Sequence, residues 1–362
     1  MEVEWIEDEA RFRELEPEWD ALAELERSPF LRHSWFRSWW EVYGRGRRLR
    51  IAALRDDGAL AALLPLWVDG RRADSMADSI TPAFKPFGRD RESVRAVIDA
   101  ALGTQSVGEL QLRSVPADGV ERLVADRASA RRWLVHRTHV RRSPFVDTRG
   151  SLDEYVHGLD PDFRQSIGRR RRKLEREHAV EYDVWRRPTA LEDELQQALE
   201  LEAKGWKGSR GDAILKSRTR TDLYRRVAGA FHEQGRLLIG RIDVDGELAM
   251  VAISLLDGNR LWMLDGGYDE RYRRYGLGIL LNMLAIEECF ARGVESCELL
   301  GDRASWKRHF ATGETPYDVY RLYRLRPAPV ARFAVRRFVR EPLRLAYLHP
   351  RLAGLRRRLT GS

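Results

Sequence analysis

One internal repeat is visible in this chain. Residues 49–66 read LRIAALRDDGALAALLPL, and residues 237–254 read LLIGRIDVDGELAMVAIS. Setting Asp57-Gly58 on Asp245-Gly246 aligns Ile51 with Ile239, Leu54 with Ile242 and Leu60 with Leu248. In each copy two apolar runs flank an Asp-Gly pair, the strongest short-range signal for a β-hairpin. Such hairpins are common, but here the flanks match as well, and the offset of 188 residues is about one domain. The repeat predicts a duplicated fold. The 362 residues suffice for two domains that each bury a core. We place these domains at residues 1–150 and 151–325, with a tail at 326–362.

The second copy reads more fully. Apolar spacing predicts helices over 190–204 and 219–234, then strands near 236–243, 247–256 and 260–267. A helix follows from about Gly276 to Arg292, with Ile279, Met283, Ile286 and Phe290 forming its buried stripe. A short strand, Ser296–Leu300, comes next. In the first copy the hairpin is followed by a Pro- and Gly-rich stretch, a helix near 91–102, a strand at 108–113 and a helix near 118–131. Residues 140–147 then cross back to the sheet. The fold class is α/β (α+β), a mixed, mostly antiparallel sheet flanked by helices in each half.

Composition excludes several classes. Hydrophobic residues make up 43% of the chain, too many for a disordered one. No apolar run approaches the roughly 18 residues of a membrane span. The first residues, MEVEWIEDEARFRELE, do not read as a secretion leader. The two cysteines, Cys289 and Cys297, lack metal-type spacing and point to a reducing, cytoplasmic setting. No metal is expected. Lys and Arg exceed Asp and Glu by 64 − 56 = 8, but residues 326–362 carry ten Arg against Glu341, or +9. The remainder is therefore 8 − 9 = −1. A neutral body does not fit a protein that coats duplex DNA.

The sharpest motif is Arg273-Arg274-Tyr275-Gly276-Leu277-Gly278, after a strand and opening a helix. Its glycines let backbone approach a ligand, and free N–H groups at a helix start attract negative charge, as a pyrophosphate site requires. It lacks the third glycine of a dinucleotide fingerprint and the Gly-Lys-Ser/Thr of a P-loop. Glu202 continues the stripe Leu191, Leu195, Ala198 and so falls on the buried side of its helix. Burial would raise its pKa towards that of a general base; the plainer alternative is an ion pair with Lys207. Asp302 and Lys307 lie just past a strand end, where sites gather in open α/β sheets. Lys307, one of six lysines beside 58 arginines, suits a phosphate or a developing oxyanion.

The R-x-x-G-x-G run after a strand meander resembles the acyl-CoA motif of the GNAT acyltransferases. More of the chain is similar to the tandem branch of that superfamily, the CelD-type acetyltransferases of cellulose biosynthesis and their FemAB-like relatives. The matching pieces are Glu202 to Gly208 with Trp206 and Lys207, Gly267-Tyr268-Asp269, the Gly276/Gly278 loop, and Leu300-Gly301-Asp302 followed by Trp306-Lys307. The basic stretch Phe163-Arg164 through Arg169–Lys173-Leu174 also matches. Two departures stand out: the CelD-type loop usually reads Ser-Pro-Gly at Gly276-Leu277-Gly278, and Trp306 replaces a tyrosine, which removes a tyrosine acid.

The resemblance implies two GNAT-like domains and an acyl-CoA cosubstrate, acetyl-CoA or longer, on Arg273 to Gly278. It implies catalytic roles for Glu202, Asp302 and Lys307, and an acceptor held by Trp206, Lys207, Tyr268, Asp269 and Trp306. The expected reaction is direct acyl transfer to an amine or hydroxyl of a small molecule, sugar or peptide. The alternatives are a FemAB-like aminoacyltransferase using aminoacyl-tRNA, and a non-catalytic membrane-surface scaffold. His136 and His139 read as surface residues. In the tail Arg332, Arg336, Arg340 and Arg344 recur every four residues, with Phe333, Phe338 and Val339 between them. The tail is expected to dock on the body up to about residue 340, or to serve as a handle for an anionic membrane or tRNA.

Overall fold

The structure, a computed structural model, describes residues 1–78, 81–205, 211, 213–301 and 306–341. Trp206, Lys207 and Asp302 lie outside the described residues. The first half supplies strands β1 (Glu2–Ile6), β2 (Arg48–Asp56), β3 (Ala59–Asp69), β4 (Arg72–Ser75), β5 (Phe87–Gly88), β6 (Glu109–Pro116) and β7 (Trp133–Asp147). The second supplies β8 (Val180–Asp183), β9 (Leu237–Val244), β10 (Glu247–Asp257), β11 (Arg260–Tyr268), β12 (Ser296–Glu298) and β13 (Gly313–Arg324). The helices are α1 (Glu9–Glu14), α2 (Glu16–Glu26), α3 (His33–Tyr43), α4 (Arg91–Gly103), α5 (Val120–Ala130) and α6 (Leu152–Gly158). They continue with α7 (Pro161–Glu177), α8 (Leu191–Lys204), α9 (Arg218–Glu233), α10 (Leu277–Ala291) and α11 (Pro327–Val335).

The strands form one mixed sheet in the order β1-β2-β3-β4-β6-β13-β7-β12-β11-β10-β9-β8, with β5 added on β3. The sheet is continuous across the boundary expected at residue 150. Strand β7 pairs with β13 along most of its length, and its last residues, Phe145 to Asp147, pair with β12. Strand β13, late in the chain, lies between β6 and β7 of the first half. A single core joins Trp19, Phe36 and Leu63 of the first half to Val251, Ile253 and Trp262 of the second.

The repeat is visible in the backbone. Both hairpin turns place Asp and Gly at positive φ, 49° and 83° at Asp57 and Gly58, 54° and 80° at Asp245 and Gly246. That is the turn whose twist matches a right-handed hairpin. Each hairpin then carries one unpaired extra residue, Ala61 in β3 and Ala249 in β10. These two alanines are equivalent at the same offset of 188. A bulge is a local irregularity with no reason to recur at an aligned position by chance, so it supports duplication independently of the sequence match.

The halves are also locked by charge. Arg32, just before α3, gives a two-pronged contact to Asp257 at the end of β10, Nε to Oδ2 at 2.9 Å and Nη2 to Oδ1 at 2.6 Å. Both residues are buried, and Arg236 and Glu24 complete the network. Beside it, a Cβ on Gly258 would lie 2.5 Å from the Arg27 Cα, so the β10–β11 turn meets the first half backbone to backbone.

One expectation is corrected: His136 is 4% exposed, its ring between Phe333 and the Glu341 carboxylate. The β13 and tail packing that covers it was not apparent from its arginine-rich neighbours.

Removing Arg32 leaves the buried Asp257 carboxylate with Arg236 as its remaining cationic partner and an unfilled space beside it. Arg32→Ala should lower unfolding free energy by about 3–5 kcal/mol, read from urea denaturation. Arg32→Met with Asp257→Leu should recover much of that loss; a double variant as unstable as the single one would contradict this account.

Candidate functional site

The site begins where two parallel strands part. Strands β11 and β12 pair only at Arg260 with Ser296, Leu261 with Cys297 and Trp262 with Glu298. Beyond Trp262, β11 runs on to Tyr268 against β10, whereas the chain after β12 turns away at Leu300 (φ 50°) and Gly301 (φ 63°). The opening is a cleft of about 740 Å³, lined by Met263 to Tyr268 on one side and Leu299 to Gly301 on the other. It lies at the carboxyl ends of parallel strands, where open α/β sheets place their ligands.

Helix α10 points its N-terminus into this cleft. Gly276 is the N-cap, in the left-handed region at φ 65°, which glycine adopts without a side-chain penalty. Ile279 and Leu280 both donate to the Gly276 carbonyl, at 2.9 and 3.2 Å. The N–H groups of Leu277 and Gly278 have no carbonyl one turn back to bond. Arg273, Gly276, Leu277 and Gly278 line the cleft. Arg274 and Tyr275 do not: the Tyr275 ring is buried behind the loop, its hydroxyl donating to Glu177 Oε2 at 2.6 Å, and Arg274 reaches the same carboxylate at 3.2 Å. From α7, the Arg170 guanidinium lies against the loop, so that a Cβ on Gly276 would meet its Nη1 at 2.9 Å.

The inner wall is acidic. Glu202 is 3% exposed on the stripe with Leu195 and Ala198, and its Oε2 accepts the Ile214 N–H at 3.1 Å. Asp265 also lines the cleft. Leu264 is an extra residue between Met263 and Asp265 in the β10 pairing, a bulge that shifts Asp265 relative to a regular strand. The Asp265 carboxylate accepts the Gly266 N–H at 2.7 Å and the Tyr224 hydroxyl at 3.2 Å. Burial, and then the neighbouring Asp265 charge, push the Tyr224 phenol well above its usual range, so it stays a donor. Asp265 and Tyr224 were not legible in the sequence. A bulge leaves no pattern, and Tyr224 sits on a helix 41 residues away.

On the opposite wall Lys307 donates to the Leu299 and Leu300 carbonyls, at 2.9 and 2.6 Å. Its Nζ is 5.3 Å from the Trp306 ring centroid. Both residues line the cleft, with Trp306 36% exposed. Tyr268 lines it too, its phenol raised by burial and by Glu270. Asp269 does not; it caps the turn at Glu270–Tyr275 through the Arg271 N–H, and Arg271 holds its carboxyl below the ordinary range. The structure thus brings together Glu202, Tyr268, Arg273, Gly276, Leu277, Gly278, Trp306 and Lys307. Among the described residues, no three His, Cys, Asp or Glu side chains are grouped to hold a metal ion.

Helix α8 reaches the cleft because β11 has no side chain beneath it. A Cβ on Gly267 would sit 2.4 Å from the Glu202 Cα. Gly267→Ala should therefore force α8 outward and cost about 1–3 kcal/mol, as overpacking does. Thermal unfolding of that variant at wild-type temperature would show that α8 does not rest on this strand.

Residues 161–308 match the family model for the acetyltransferase (GNAT) domain. No curated protein matches the chain. Among solved structures, FemX superposes with a TM-score of 0.59 at 13% identity, covering 92% of this chain and 99% of that one. The C-terminal domain of a putative lysylphosphatidylglycerol synthetase from Agrobacterium fabrum gives 0.56 at 13%, covering 90% and 97%. A lysylphosphatidylglycerol synthetase (L-PGS) from Bacillus licheniformis gives 0.54 at 13%, covering 94% and 99%. Each superposition spans both halves, as a tandem fold requires. With the split strands and glycine-capped helix, residues 161–308 form a GNAT acetyltransferase domain, and the whole chain shares the fold of these solved structures.

Proposed function

We propose that this chain transfers an acyl group, acetyl in the simplest case, from acyl-CoA to an amine or hydroxyl of a small-molecule, sugar or peptide acceptor. The observation that carries the reading is the glycine-capped start of α10 at the mouth of the cleft. The Leu277 and Gly278 N–H groups, the positive end of the helix and Arg273 suit a pyrophosphate. The residues fit that group: Gly276 and Gly278 keep Cβ atoms away from the approach. When bound, the cosubstrate supplies a thioester open to attack by the acceptor.

The other residues fall into two roles. The Lys307 ammonium, held beside the cleft by two carbonyls, stabilises negative charge that develops on the acyl oxygen. Glu202 and Asp265 are the carboxylates from which a proton acceptor for the attacking group is drawn. The hydrogen bonds from Tyr224 and Gly266 fix the direction of the Asp265 carboxylate. Trp306 walls the acceptor side. Roles for Trp206, Lys207 and Asp302 rest on the sequence resemblance alone.

A second donor, aminoacyl-tRNA, is favoured by one feature: Arg169 and Arg172 of α7 are exposed on the helix that overlies the loop. The charge of −1 over residues 1–325 weighs against it, because RNA binding is dominated by phosphate neutralisation.

Acetyl-CoA should raise the melting temperature of the protein, and Gly276→Asp should abolish that shift, because a carboxylate there blocks and repels the pyrophosphate. An undiminished shift in the variant would place the ligand elsewhere, and a gel shift with tRNA but no response to acetyl-CoA would favour the second donor. Lys307→Ala should keep the acetyl-CoA shift yet lose turnover by about 10²–10³-fold. Wild-type turnover would leave Lys307 as a structural cap only.

A further inference from the structure

The tail presents a second apolar face. Helix α11 docks inward through buried Pro329 and through Phe333, whose ring lies 5.7 Å from that of Tyr323 and 6.5 Å from that of His136. At residues 335, 338 and 339 the apolar side chains turn the other way. Val335 is 48% exposed, Phe338 70% and Val339 50%. The expected docking up to residue 340 is made by the inward face of α11, with Glu341 beyond it reaching His136 at 3.8 Å. A lone exposed apolar residue is ordinary, but three within five residues form a patch that calls for a cover.

The patch is ringed by arginine. Arg332 is held by Glu109, and Arg336 faces half-buried Arg321, whose own hydrogen bonds go to the neutral Gln111 and Thr138. Arg337 and Arg340 are exposed and pair with no carboxylate among the described residues. Residues 342–362 add Arg344, Arg351 and Arg356-Arg357-Arg358 with no acid. The long-range attraction of the whole chain for a negative surface therefore comes from its tail, +9 against −1 for the rest.

We infer that this tail docks the protein on an anionic lipid bilayer, with Phe338, Val339 and Val335 at the headgroup boundary and the flanking arginines on lipid phosphates. An element with a compact apolar face set in basic residues binds in that interfacial layer. No described helix is long and apolar enough to cross a membrane, so the contact is with its surface. RNA would answer the same charge, but the exposed valines add nothing to phosphate binding and offer no plane for base stacking. The bilayer uses both features.

Flotation with vesicles of phosphatidylcholine, with and without phosphatidylglycerol, tests this on the full-length protein. It should float only with the anionic vesicles and be released by high salt. Each arginine near such a surface strengthens binding roughly fivefold, so Arg337→Glu with Arg340→Glu should weaken it by about 25-fold or more. Phe338→Ser should weaken it at unchanged salt dependence. All three side chains are exposed, so the variants should melt like the wild type. Absence of binding to anionic vesicles would overturn the proposal and point to residues 342–362 as the cover. Vesicle binding unaffected by these variants, or a tRNA gel shift that outcompetes the vesicles, would overturn it as well.

Discussion

Everything at the site depends on the parting of β11 from β12 after three residue pairs. A parallel pair that separates within a sheet exposes backbone groups and opens the space between its ends. Here the exposed Leu299 and Leu300 carbonyls are capped by the Lys307 ammonium, a slender side-chain donor that leaves the space itself open. The same opening receives the N-terminus of α10 and, over Gly267, the end of α8 with Glu202. One interruption in the ladder therefore sets a helix N-terminus, a cation and carboxylates around one cavity.

The first half has the same split and closes it. Strands β4 and β6 also pair in parallel over three residues, Arg72 to Asp74 against Glu109 to Gln111. There the chain after β4 fills the opening: Phe84 donates its N–H to the Ser114 carbonyl of β6, and Met76, Thr81, Phe84 and Phe87 are all buried. A backbone donor with apolar bulk stands where the second half has a lysine and a cavity. Duplication thus leaves one half with an open cleft and one half with the cleft filled, held in register by β7, β13 and the Arg32–Asp257 pair.

Much of the second half was legible in the sequence, because its information is local. The Asp-Gly turns, the stripe ending in Glu202 and the glycines before α10 each depend on neighbours a few residues apart. The split itself was not, since it depends on which strands lie side by side, and β13 pairing between β6 and β7 links residues about 200 apart. The same holds for Asp265, placed by a bulge, and for His136, covered by a tail whose docking leaves no periodic trace. Arg274, Tyr275 and Asp269 share the motif's sequence but not its cleft. The single turn before Gly276 swings Arg274 and Tyr275 together towards Glu177 of α7, and Tyr275 takes the core side.

A crystal structure of the protein with coenzyme A tests the central claim most directly. The account predicts the pyrophosphate at the start of α10, within about 3 Å of the Leu277 and Gly278 amide nitrogens, with the thiol running between β11 and β12 towards Lys307. Coenzyme A bound outside this cleft, or seated in it with its pyrophosphate away from those two amides, would contradict it.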